Sequence, residues 1–330
     1  MKYRKLGKTG IKVSEISLGT WQVGGKWGSG FDDALAEHII NEAIDAGVNF
    51  IDTADVYEAG ASEAAVGRVV KSRSEEVFVA TKCGRQINPH VNEGYTVEVL
   101  RKYVEDSLKN TGLDCLNCPL HIFAVPPTEV YYRPEIFELF DRLKDEGKIK
   151  NLGVSVEKVE EGLKAIEYPN VNTVQIIFNM FRQRPSELFF EQVRKKDIGV
   201  IVRVPLASGL LTGKFSSDST FDKDDHRNFN RDGAAFDKGE TFSGVPFDLG
   251  LKAVDELKKV FPQRDNLAPV ALRWILDFPE VSCIIPGASK VEHLNSNIKA
   301  AELPPLTDKE KVAVNEIYDK HIKKHVHHLW

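Results

Sequence analysis

Val48-Asn49-Phe50-Ile51-Asp52 and Val77-Phe78-Val79-Ala80-Thr81-Lys82 are apolar runs that each end on a charged residue, with Tyr57 in the short loop after the first. Runs of this length and composition read as β-strands. An acid, a phenol and an amine at the carboxyl ends of neighbouring strands suggest one pocket that moves protons. A barrel whose loops ring that end would bring the three together.

Working outward, further candidate strands are Glu15–Leu18, Cys115–His121, Lys150–Val154, Thr173–Phe178, Gly199–Val204 and Val281–Ile285, which makes eight in all. Amphipathic stretches alternate with them: Asp33–Ala46, Ser62–Lys71, Thr96–Asn110 and Pro134–Glu146. In the last, Ile136, Phe137, Phe140 and Leu143 fall at helical spacing, Pro134 begins the helix and Gly147 ends it. Eightfold alternation predicts an α/β fold, a (β/α)8 TIM barrel. The alternative is a doubly wound open sheet, but no G-x-G-x-x-G follows the first strand. The opening residues Tyr3–Val13 read as a β-hairpin that closes the amino-terminal end of the barrel. Ser216–Gly250, polar and rich in Asp and Gly, reads as a long loop after strand seven that partly covers the mouth. No linker divides residues 1–330, so a single domain is expected.

The chain has 330 residues, 42% of them hydrophobic, and a net charge of −5. That balance provides no global field for nucleic acid or an anionic membrane. No 18-residue apolar run and no signal-peptide core occur, and four cysteines are too few for a secreted disulfide framework. A cytoplasmic protein without nucleic-acid or membrane partners is the expectation. Cys115 and Cys118 form a C-x-x-C with no second half to complete a metal site, so no metal is expected.

Free tyrosine titrates near pH 10, too high for an efficient acid at neutrality. A lysine ammonium at ~4 Å favours the phenolate by about 4 kcal/mol at an effective dielectric near 20, roughly three pKa units before desolvation pushes back. Asp52 can supply the counter-charge that Lys82 needs in a buried site. Such a tyrosine suits protonation of a developing alkoxide, the product of hydride addition to a carbonyl. The hydride must come from a cofactor, because no side chain supplies one.

These residues resemble the aldo-keto reductase superfamily, and the resemblance covers nearly the whole chain. The matching stretches are Leu18–Trp21, Gly47–Tyr57, Val79–Lys82, Glu146–Ile149 leading to Gly153–Ser155, Pro205–Lys214 and Ile285–Ala288. The resemblance implies a (β/α)8 barrel that binds a nicotinamide cofactor without a Rossmann domain. It makes Tyr57 the general acid, Lys82 its electrostatic partner and Asp52 the partner of Lys82. Ser155 and Gln175 are then expected at the nicotinamide carboxamide, with Val156 where relatives often carry Asn. Arg203 stands where many relatives stack a tyrosine on the nicotinamide, and a planar guanidinium can also stack. Pro205, Leu206, Ser208, Gly209 and Leu210 resemble a pyrophosphate cradle built from backbone N–H groups. Gly19, Thr20, Trp21 and Lys214 complete the expected cofactor contacts in the matched stretches.

Two departures from the family pattern stand out. The family histidine is expected at Ile122 counting forward from Gly112-Leu113-Asp114, and at Ala124 counting back from Pro126, whereas this chain has His121. A local insertion or a sequence frameshift would account for the extra length. His121 is taken as the fourth catalytic residue, provided a bulge turns it inward; otherwise it is a core or surface histidine. Second, Gly287, Ala288 and His293 stand where relatives read the 2′-phosphate with Lys, Ser and Arg. Ser289 and Lys290 are the substitutes, with Asn297 near the adenine, so NADP(H) is favoured and NAD(H) remains open.

Trp21, Val23, Trp27 and Phe123 or Val125 are the candidate walls for a small carbonyl substrate. The histidine-rich ending His321, His325, His327 and His328 reads as a solvated helix face, with Trp330 tucked against the barrel. The resulting expectation is NAD(P)H-dependent reduction of an aldehyde or ketone to an alcohol. The alternative is a cofactor-binding, redox-sensing regulatory subunit with slow or no turnover.

Overall fold

The computed structural model describes residues 1–25, 30–113 and 120–330, with the backbone alone at 120–122. Two short strands, β1 (Tyr3–Lys5) and β2 (Lys12–Ser14), pair antiparallel as the expected hairpin. Leu6 and Val13 from this hairpin pack with Phe50, Ala80, Ile201 and Cys283, closing the floor of the barrel. Arg4 locks the hairpin in place by donating to the carbonyls of Leu276, Phe278 and Val281.

Eight parallel strands follow: β3 (Leu18–Gly19), β4 (Phe50–Asp52), β5 (Phe78–Cys83), β6 (Leu120–Ala124), β7 (Asn151–Ser155), β8 (Val171–Ile177), β9 (Gly199–Arg203) and β10 (Val281–Ile284). Each pairs with the next in sequence, and bridges Ile16–Ile284 and Gly19–Gly287 join the first strand to the last. The ring is a TIM barrel. Its strands are buried almost throughout, as strands covered on both faces must be.

Helices α1 (Asp33–Asp45), α2 (Ala61–Ser72), α3 (Val97–Thr111), α4 (Pro134–Asp145), α5 (Val159–Ala165) and α6 (Leu188–Lys195) fill the crossovers. In α4, Ile136, Phe137, Leu139, Phe140 and Leu143 are buried. Each contributes roughly 1.5–3 kcal/mol, so Phe140→Ala alone would cost about 3–5 kcal/mol. Gly67 in α2 lets α3 approach closely, since a Cβ there would lie 1.9 Å from the Thr111 carbonyl.

The structure departs from the sequence reading in three places. Glu15–Ser17 lie before β3 rather than within it, although the Glu15 carbonyl and Ser17 N–H bond to Ile284 and help close the ring. The fourth barrel strand is Leu120–Ala124, later than the expected Cys115–His121; Cys115 and Cys118 fall outside the described residues. The segment 216–250 is a loop for most of its length, yet it holds the short helix α7 (His226–Phe229) and the first turn of α8 (Phe247–Val260). Beyond it come α9 (Ala268–Leu276), α10 (Val291–Ile298), α11 (Asp308–Ile317) and α12 (Lys323–Val326). No described helix is long and apolar enough to cross a membrane.

Candidate active site

Asp52 is the last residue of β4, and Lys82 is the penultimate residue of β5. Ladder register sets Asp52 beside Ala80, so Lys82 reaches one step further toward the mouth on the same face. Lys82 Nζ donates to Asp52 Oδ2 at 2.5 Å and to the Thr53 carbonyl at 2.7 Å, and lies 3.2 Å from the Tyr57 hydroxyl. Tyr57 opens the turn that follows β4, in which Glu58 and Ala59 adopt positive φ. The strained turn swings the phenol back over Lys82, whose Nζ sits 4.8 Å from the ring centre. The other Asp52 oxygen accepts from Gln175 Nε2 at 2.9 Å. The structure therefore brings Asp52, Tyr57, Lys82 and Gln175 together.

Burial opposes the Lys82 charge, but Asp52 and Tyr57 outweigh it and hold the ammonium pKa above its ordinary value. For Tyr57 the balance differs from the sequence expectation. Burial pushes the phenol up and Asp52 adds to it, so Lys82 fails to bring it below its usual value. The site thus sets a phenol beside a cation, with burial favouring the protonated hydroxyl.

A cavity of 850 Å³ opens above this cluster. Its walls include the expected Gly19, Thr20, Trp21, Asp52, Gln175, Arg203, Pro205, Leu206, Ser208, Gly209, Lys214, Gly287, Lys290, His293 and Asn297. Ser155, Leu210 and Ser289 are not among them. Ser155 is buried and donates to Gln175 Oε1 at 3.3 Å. Leu210 is a core residue, and Ser289 is turned to His293 Nδ1 at 3.2 Å. In the expected cradle, Ser208 and Gly209 have φ of 53° and 97°. The Ala207 and Gly209 N–H groups donate to the carbonyls of Val204 and Leu206 within the turn.

The substrate walls differ in part from the sequence reading. Trp21 lies edge-on to Tyr57 with ring centres 5.4 Å apart. Val23 is core, and Trp27 lies outside the described residues. Phe123 packs against Tyr95, Phe137 and Phe140 under the helices, and Val125 does not line the cavity. The ladder sets Ile122 beside Lys82 and pairs His121 with Thr81. The His121 side chain, the expected fourth catalytic group, is outside the described residues.

Sequence reasoning missed the walls supplied by the loop. His226 and Phe236 face Trp21, each with ring centres 6.0 Å away. Glu240 pairs with Arg203 at 3.1 Å and with Arg85 at 3.2 Å. Arg203 also pairs with Glu157 at 2.9 Å, so the guanidinium expected to stack is held from two sides. Burial drives Glu157 well above the carboxylate range, against the pull of Arg203. Glu240 is also buried, but Arg203 and Arg85 hold it down at about 2. The only sequence signal for this cluster was a cationic residue at the end of a strand.

Away from the cavity, His321 pairs with Glu256 and His327 with Glu187. Among the described residues no group of three His, Cys, Asp or Glu side chains could hold a metal ion.

The Aldo/keto reductase family model matches residues 15–319. The chain belongs to the aldo/keto reductase family. It is 31% identical over 306 residues to Aldo-keto reductase YhdN of Bacillus subtilis (strain 168), covering 90% of this chain and 87% of that protein. It is 28% identical to the NADH-specific methylglyoxal reductase of Escherichia coli (strain K12), covering 96% and 98%. The glycerol dehydrogenase AKR11B4 from Gluconobacter oxydans superposes with a TM-score of 0.76 at 29% identity, covering 97% of this chain and 96% of that one. The family supports an oxidoreductase that uses a nicotinamide cofactor.

Proposed function

We propose that this aldo/keto reductase reduces a small aldehyde or ketone to an alcohol, with Tyr57 as the acid. The observation that carries the reading is the contact set at the floor of the cavity, where Lys82 touches Asp52, Thr53 and Tyr57. A nicotinamide dinucleotide contributes the hydride. Tyr57 gives its hydroxyl proton to the carbonyl oxygen as negative charge develops there. Lys82 stabilises the phenolate left behind, and Asp52 keeps Lys82 charged and aimed.

The residues present fit a dinucleotide. The cavity runs from Gln175 and Arg203 past the Ser208-Gly209 turn to Lys214, Lys290 and Asn297. A Cβ at Gly209 would meet the Phe215 ring at 3.0 Å, so a side chain there would crowd the turn. Lys214 and Lys290 line the far end, and burial, then these two lysines, depress the pKa of His293 against the opposing pull of Glu292. That favours NADPH; the NADH-specific relative is the reason to test both cofactors. Trp21, Phe236 and His226 suit a flat or apolar carbonyl compound.

A slow redox sensor is a second reading, favoured by the ladder position of Ile122 rather than a histidine beside Lys82. Titration with NADPH and NADH by tryptophan fluorescence, followed by a generic aldehyde, separates the two. Steady oxidation of the reduced cofactor that disappears in Tyr57→Phe supports the reductase. Tight binding with a single turnover supports the sensor, and no binding of either cofactor defeats both.

A further inference from the structure

Residues 236–240 supply two walls of the cavity but are gripped from outside it. Phe236 faces Trp21 at 6.0 Å, and Glu240 pairs with Arg203 and Arg85. Asp237 lies between them and does not line the cavity. Its Oδ1 accepts from Trp330 Nε1 at 3.0 Å and from the Gly239 N–H at 2.7 Å. The Trp330 indole is 4% exposed and lies under the Arg182 guanidinium, 4.0 Å from its carbon. Arg182 in turn donates to the carbonyls of Gly239 and Ser243 at 3.2 and 3.0 Å. A Cβ on Gly239 or Gly244 would come within 2.8 or 2.5 Å of the indole, so the ring fills a slot that two glycines leave.

We propose that Trp330 is a positioning residue for the substrate end of the cavity, fixing through Asp237 and Arg182 the turn that presents Phe236 and Glu240. This rests on the carbonyl-reductase reading. Its distinctive feature is selectivity. The grip falls on the turn bearing Phe236, which also meets the nicotinamide end through the Glu240–Arg203 pair and through the Ser208 hydroxyl that donates to the Glu240 carbonyl, whereas Lys214 and Lys290 line the cavity on other segments. Loss of the indole therefore loosens the Phe236 wall and the Glu240–Arg203 contact, while the end of the cavity lined by Lys214 and Lys290 keeps its geometry. Small displacements of positioning groups cost rate and affinity steeply.

The test compares Trp330→Ala, Trp330→Phe and a control, His321→Ala, whose residue pairs with Glu256 on the outer helices. Trp330→Ala should raise KM for the carbonyl substrate roughly tenfold, with the ratio of NADPH Kd to NADH Kd unchanged. Amide exchange in residues 236–244 should quicken while the barrel strands keep their protection. Trp330→Phe keeps a ring under Arg182 without the N–H donor and should fall between, and His321→Ala should match the wild type. An unchanged KM, or exchange in 236–244 that stays at the wild-type rate, overturns the proposal. So does a fall confined to apparent kcat that tracks folded fraction, with KM at the wild-type value. A wild type that binds no dinucleotide defeats the reductase reading instead, and the exchange comparison still decides whether Trp330 holds the turn.

Discussion

Gln175 Nε2 donates to Asp52 Oδ1 at 2.9 Å, joining residues 123 positions apart across the barrel interior. The bond ties β8 to β4 and leaves the other oxygen to Lys82, which donates to it at 2.5 Å. Replacing Gln175 by Leu leaves a buried carboxylate oxygen without its donor, which costs about 1–3 kcal/mol. We predict a lower urea midpoint with an unchanged m-value, together with weaker dinucleotide binding. Stability equal to the wild type would count against Gln175 as the support of Asp52.

Tyr57→Phe removes only the hydroxyl. Turnover of an aldehyde should fall by roughly 10²–10⁴, while dinucleotide affinity, read by fluorescence, stays close to the wild-type value. Residual turnover within tenfold of wild type would remove Tyr57 from its role.

Lys82→Met should be poorly stable. It strands Asp52 as an unpaired buried charge, a loss of about 3–5 kcal/mol. Adding Asp52→Asn should recover part of that loss in thermal melts without restoring turnover. A double variant no more stable than the single would mean that charge is not what destabilises Lys82→Met.

Asp55, two residues before Tyr57, gives the clearest pH signature. Burial, reinforced by Glu63, raises its pKa from 3.8 to about 7, against the opposing hydrogen bond from Gln86. The folded state then binds a proton more readily than the unfolded chain, so stability is full below pH 4 and declines as pH rises toward 7. The full effect is at most about 4 kcal/mol. Asp55→Asn should flatten this slope, melting higher than wild type at pH 8 and much the same near pH 4. Parallel melting curves for the two proteins across that range would exclude it.

Lys290→Ala should weaken NADPH roughly tenfold and NADH little, because a single exposed cation contributes mainly through the extra phosphate charge. Equal losses for both cofactors would place the lysine at a phosphate that they share.

The barrel and the trio were legible because both rest on local signals: apolar runs, their number, and charged residues at their ends. Phe123 was misread because inside and outside alternate along a strand, and the fourth strand begins later than the sequence suggests. Ser155 bonds the Gln175 amide, a side chain contributed by the next strand, a pairing that local sequence does not encode. The Glu157–Arg203–Glu240–Arg85 cluster draws on residues of β9 and three loops, a meeting that no local pattern encodes. The net direction of the Tyr57 pKa lay beyond the sequence for a related reason. The attraction of Lys82 follows from chemistry known in advance, but the depth of burial that outweighs it belongs to the finished fold.

The ring closes between its first and last strands, through Ile16–Ile284 and Gly19–Gly287. During synthesis the Leu18–Gly19 strand therefore waits for a partner encoded more than 260 residues downstream. Until that partner leaves the ribosome, the nascent chain carries an open sheet edge, the kind that invites pairing with another molecule.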